Sequence, residues 1–178
     1  MKSVWSPTLA WCLAVVAAVL LAVAAPTESS VMGRLPSLQA RQLDQQPLAL
    51  PEGLGAERTL AFISFHRDQR PAVDSWIQGL QLSGDASVRW LRMVVLNDPG
   101  DAAERSLIEN RLRERYAQEK AAVVPVFTDR NAFARSTGLS GVEQPHVVVL
   151  NRRGEVLARV EGPFHPEKAR ALRATLDE

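Results

Sequence analysis

From Thr59 onward the chain alternates compact apolar runs with segments of helical periodicity, and that order restricts the fold more than any single motif does. TLAFISF, Thr59 to Phe65, is an apolar run of strand length, rich in β-formers. Pro71 then stands at a first helical position, and Val73, Trp76, Ile77 and Leu80 recur at the spacing of one helix face. WLRMVVL, Trp90 to Leu96, predicts a second strand closed by the turn residues Asn97, Asp98, Pro99 and Gly100. The charge-rich stretch from Asp101 to Glu119 predicts an amphipathic surface helix, with Leu107, Ile108, Leu112 and Tyr116 on one side and a Glu109–Arg113 pair on the other.

AAVVPVF predicts a third strand in which Pro125 marks an edge or a bulge. Asp129 is placed to cap a short helix that stops at Gly138. HVVVL and EVLARVEG flank Asn151-Arg152-Arg153-Gly154 and predict an antiparallel hairpin, with Gly154 available for a positive φ. Glu155 and Glu161 fall on these strands, and the alternation assigns both to the solvent face. Pro166 opens a last helix bearing Ala169, Leu172 and Leu176 on one face. The sum is an α/β domain of order β-α-β-α-β-α-β-β-α: crossovers demand a partly parallel sheet, and the final hairpin adds antiparallel strands to make it mixed.

Upstream, the first residues read as an export segment. Lys2 precedes an apolar run from about Leu9 to Ala25, then comes the small-residue motif Ala22-Val23-Ala24 and a polar Thr-Glu-Ser-Ser stretch. Residues 1–24 are a signal peptide or an N-terminal membrane anchor, the tether then lying within residues 8–25. Either outcome delivers the domain to the periplasmic side of a bacterial inner membrane. Residues 25–34 form a linker, and 35–178 form the domain. The Pro- and Gly-rich stretch that opens the domain, up to Ala56, predicts one or two short edge strands.

The formal charge is +1, from 21 Lys and Arg against 20 Asp and Glu; removing residues 1–24 takes away only Lys2 and leaves 20 against 20. A neutral domain has no electrostatic reason to bind nucleic acid. RLRERYAQEK interleaves its cations with acids, as a solvated helix face does. The single cysteine, Cys12, lies in the apolar N-terminal run, so the domain has no thiol for a disulfide, a nucleophile or a metal site.

Three stretches resemble the thioredoxin-like superfamily, above all its exported TlpA and peroxiredoxin branches. TLAFISFHRDQRPAVDSWI is similar to the strand, active-site turn and first helix of those families. VFTDRNAFARSTGLSGVEQPHVVVL resembles their aspartate, short helix, Gly-rich loop, cis-proline and strand, and NRRGEVLARVEGPF their closing hairpin. The resemblance puts Arg70 and Val73 where the two Cys-x-x-C cysteines would stand, which removes thiol oxidoreductase and peroxidase activity. It also implies a cis bond at Gln144-Pro145 and a peptide edge there that pairs with an extended chain by strand addition. DSWI and the long charged helix are similar to the mitochondrial ATP-synthase assembly-factor family, thioredoxin-like chaperones of a membrane subunit.

These readings converge on a redox-inactive, exported module that binds a polypeptide or a membrane-complex subunit. Its expected contact surface is Arg70, Gln144 and Pro145, with His66, Asp68 and His146 at the rim. No catalytic residue, metal ligand or cofactor is assigned. The alternative is a non-thiol enzyme or metal carrier built on the His66/Asp68 turn, with Asp74 as a further acid-base candidate.

Overall fold

The computed structural model describes residues 31–82 and 87–177. The expected export segment lies outside the described residues. Among those described, no helix is long and apolar enough to cross a membrane.

The strands are β1 (Leu38–Arg41), β2 (Pro47–Leu50), β3 (Arg58–Ser64), β4 (Trp90–Leu96), β5 (Val123–Phe127), β6 (His146–Asn151) and β7 (Val156–Glu161). The helices are α1 (Arg70–Gly79), α2 (Ala102–Arg115), α3 (Arg130–Ser136) and α4 (Pro166–Leu176). A five-stranded sheet runs β5-β4-β3-β6-β7. β4 lies parallel to both β3 and β5, while β6 is antiparallel to both β3 and β7.

β3 is the central strand, and every residue from Thr59 to Ser64 is buried. Its alternation splits the core into two layers. Ala61 and Ile63 pack with Leu91, Met93, Val95, Val124, Val148 and Phe133 on one face. Leu60 and Phe62 pack with Val73, Trp76, Ile77, Val149 and Leu172 on the other. The predicted α1 stripe is therefore the buried one. Trp76 is fully enclosed, its indole N–H donating to the Gly162 carbonyl at 2.9 Å.

The N-terminal strands depart from expectation. β1 and β2 pair with each other in a separate two-stranded sheet and are not edges of the main one. Their apolar residues explain this: Leu48 and Leu50, with Leu35 and Leu54, cover the face of the sheet that α1 and α4 leave open. The Leu43 N–H donates to the Val123 carbonyl at the margin of β5, which is an edge strand and carries Pro125.

α2 also differs from its sequence reading. Leu112 and Tyr116 are buried against Leu43 and Val123 with Ile108 beside them, but Leu107, one residue off that stripe, is 56% exposed. Arg113 bonds to Asn110 and to the Leu43 carbonyl instead of Glu109. The helix is fastened by one narrow stripe and a polar bond to the N-terminal hairpin.

Glu155 is a third departure. It is buried, because the Asn151 carboxamide oxygen accepts the Arg153 and Glu155 N–H groups and curls the turn inward. Its carboxylate accepts from Asn151 and is paired with Arg34 and Arg153, which together hold its pKa down to about 2. Arg34, at the end of the expected linker, is thereby bound to the closing hairpin.

Asp129 caps α3 as expected, accepting from the Ala132 N–H at 2.6 Å. Gly154 (φ +73°) closes the β6–β7 turn, and Gly138 (φ +69°) follows α3. At Gly138 a Cβ would overlap the Met32 backbone carbonyl. Gly138→Ala is therefore expected to cost more than about 1 kcal/mol, read as a lowered midpoint in urea with an unchanged slope.

Candidate functional site

β3 ends at Ser64, and Phe65 turns its ring inward, edge-on to Phe133 and His146 with centroids 6.3 and 6.2 Å away. The next residues form a short 3-10 turn, Arg67–Gln69, leading into α1. Gln69 fixes this turn: its side-chain oxygen accepts from the Phe65 N–H at 2.8 Å, and its amide donates to the Val142 carbonyl, also at 2.8 Å. The turn after β3 and the loop before β6 are thus adjacent and bonded to each other. Gln69 was not singled out in the sequence, where it is one more polar residue among His66, Arg67, Asp68 and Arg70. Only its 6% exposure sets it apart.

The expected site residues divide into two groups. His66, Asp68 and Gln144 are exposed and Arg70 is half-buried, while Pro145 and His146 are enclosed. The His146 Nε2 donates to the Gly141 carbonyl at 3.0 Å. Burial, the larger influence, lowers its pKa, and that hydrogen bond opposes the shift. Among the described residues no group of three or more His, Cys, Asp or Glu side chains is gathered to hold a metal ion.

The Gln144-Pro145 bond is trans, contrary to expectation; among the described residues the only cis bond is Leu50-Pro51. An X–Pro bond favours trans unless surrounding contacts select the other isomer. Here the Pro145 carbonyl accepts from the Gly162 N–H at 2.9 Å, and β6 begins at the next residue. The Val142 carbonyl is taken by Gln69. The edge expected to receive an extended chain therefore has two of its acceptors already bonded, with the exposed Glu143 and Gln144 between them.

A charged cluster lies on the α1 side of the sheet. Arg92 is only 1% exposed in the middle of β4. Its guanidinium bonds to Asp74 at 2.7 Å, lies 3.1 Å from Glu119 and sits 5.0 Å from the Tyr116 ring centroid. Arg70 shares two of these three neighbours, 3.4 Å from Asp74 and 5.1 Å from the Tyr116 ring. Two guanidiniums thus meet two carboxylates and the face of one aromatic ring, an arrangement that keeps a buried cation compensated. Asp74, an acid-base candidate in the sequence, is an ion-pair partner. Arg92 gave one signal in the sequence, a lone charge within an apolar strand.

Next to this cluster a cleft of about 300 Å³ opens at the C-terminal ends of β3 and β4, between the start of α1 and the buried stripe of α2. Arg67, Arg70, Arg111, Arg115 and Arg130 line it, and among the described residues no carboxylate does. These arginines come from three separated stretches, so their convergence was invisible in the sequence. Arg111 and Arg115 belong to the stretch read as a solvated face; both are exposed, and both border the cleft.

No family model and no curated protein matches the chain. Solved structures do, and they define the fold as thioredoxin-like. A proposed electron transfer protein from Aquifex aeolicus VF5 superposes with a TM-score of 0.57 at 17% identity, covering 84% of this chain and 96% of that one. BsSco, a member of the Sco family of cytochrome c oxidase assembly proteins, gives 0.56 at 12%, covering 82% and 92%. The exposed lipoprotein thioredoxin Etrx1 of Streptococcus pneumoniae TIGR4 gives 0.51 at 12%, covering 80% and 100%.

Two outcomes follow from the buried charges. Replacing both carboxylates around Arg92, as Asp74→Asn with Glu119→Gln, leaves its guanidinium enclosed without an anion and is expected to cost about 3 kcal/mol in chemical denaturation. His146 acts on the pH dependence. Its folded pKa lies below the ordinary histidine value of 6.5, so the unfolded chain takes up the proton first. Its contribution is complete above that value and declines as pH falls below it. Relative to His146→Gln, the native protein should lose melting temperature as pH drops from about 7.5 to about 5.5.

Proposed function

We propose that this chain is an exported, redox-inactive thioredoxin-like domain that binds a polypeptide or serves in the assembly of a membrane complex. The carrying observation is the strand-to-helix turn. Arg70 and Val73 occupy the positions that the resemblance gives to cysteines, and the only cysteine of the chain, Cys12, lies outside the domain. A turn without sulfur cannot exchange a disulfide, and Gln69 holds it rigidly to the neighbouring loop. What remains is a preformed polar surface, and loops held on a rigid scaffold are common recognition sites.

The contact surface in this reading is His66, Asp68, Arg70 and Gln144, supported from beneath by Pro145 and His146. The backbone acceptors at Val142 and Pro145 are already bonded, so recognition in this reading draws on the exposed side chains of the surface. Export rests on the signal-like residues 1–24, either cleaved or kept as a tether facing the periplasm. One structural neighbour is an exposed lipoprotein, in keeping with export, and another belongs to a family of cytochrome c oxidase assembly proteins, in keeping with an assembly role.

The test is partner capture. A photo-crosslinking residue replacing Gln144 in the full chain, irradiated in intact cells, is expected to yield one defined adduct with a polypeptide. A blank at Gln144 beside a crosslinking control that works would overturn the reading.

A further inference from the structure

The arginine-lined cleft is not explained by partner binding at Gln144, nor by the thioredoxin-like fold. Five guanidiniums converge on it, and among the described residues no carboxylate lines it. Arg70 alone among them is neutralised by a neighbour, Asp74. Arg67, Arg111, Arg115 and Arg130 form no ion pair with any described residue.

Local structure gives little reason for the arrangement. Arg111 and Arg115 stand at i and i+4 on α2, where like charges repel. Arg115, in the last turn, complements the helix dipole, but Arg70 and Arg130 occupy the first positions of their helices, where a cation is disfavoured. The Nε of Arg130 is buried with no hydrogen-bond partner among the described residues. Uncompensated cations in a concave site, one with an unmet donor, are the features of an oxyanion site, and the guanidinium fork matches such a group with paired hydrogen bonds.

The rest of the lining narrows the ligand. Leu96, Ile108, Leu112 and Tyr116 supply an apolar wall beside the arginines. A bare inorganic anion would leave that wall uncovered, and a neutral apolar molecule would leave the guanidiniums unmatched. The volume is at the lower end for small-molecule pockets.

We infer that the cleft between α1 and α2 binds a small organic oxyanion with an apolar body, a carboxylate or phosphate ester carrying an aromatic or short aliphatic group. The oxyanion meets Arg67, Arg111, Arg115 and Arg130, and the apolar body lies along the partly exposed Leu96 and Ile108. The cleft shares His66 and Arg70 with the surface given to the polypeptide, but its charge comes from Arg67, Arg111, Arg115 and Arg130, and its test does not depend on that reading.

Calorimetric titration of the purified full chain tests it with phenylpropionate and phenyl phosphate as probes, and with phenylpropanamide and inorganic phosphate as controls. At least one probe is expected to bind, with both controls at least about tenfold weaker, the loss of one charge-assisted contact. The variants Arg111→Gln/Arg130→Gln and Arg67→Gln/Arg115→Gln, checked for native melting, should each weaken that probe by at least about tenfold. The second pair serves if the first does not fold. Probe affinity unchanged in a folded variant would show binding elsewhere on the chain and overturn the site. Equal affinity for inorganic phosphate, or no binding of either probe, would overturn it as well.

Discussion

Everything in this domain is arranged around a strand that is buried on both faces. β3 has a parallel neighbour on one side and an antiparallel one on the other, and its alternate side chains belong to different core layers. A strand in that position needs cover above and below. One layer is supplied by α1 and α4, the other by α3 and the β1–β2 hairpin. The functional end of the molecule follows from this arrangement, because β3 emerges from the core at Ser64 and the chain must turn there to place α1 back over the sheet.

The sequence disclosed the parts that obey simple periodicity. The α1 stripe, the Asp129 cap, the Gly154 turn and the edge position of the Pro125 strand are local consequences of residue type, and all four are present. Features set by distant contacts were not legible. Glu155 occupies an outward-looking place in a strand pattern, yet Arg34, more than a hundred residues earlier, gives it a partner that makes burial tolerable. Leu107 is apolar but falls just off the stripe that docks α2. The isomer at Gln144-Pro145 was read from resemblance alone, and hydrogen bonding at the start of β6 accompanies the trans form.

The candidate site was half legible for the same reason. His66, Asp68 and Arg70 are contiguous, and their exposure in a turn could be read directly. Gln69, which fastens that turn, and the arginines that meet across the cleft are defined by what approaches them in space. Their chemistry is also coherent. Beside the turn that follows β3, this chain places a guanidinium over Tyr116 and shares Asp74 between two arginines. Such a network suits the recognition of charge, which needs fixed dipoles and cations.

Pro125 has an effect beyond its own strand. It lies on the outermost strand on that side of the sheet, has no N–H to give, and follows two residues after a carbonyl already taken by Leu43. A second molecule approaching that margin meets an interrupted ladder, so polymerisation by strand stacking finds no continuous template there even when the protein is crowded.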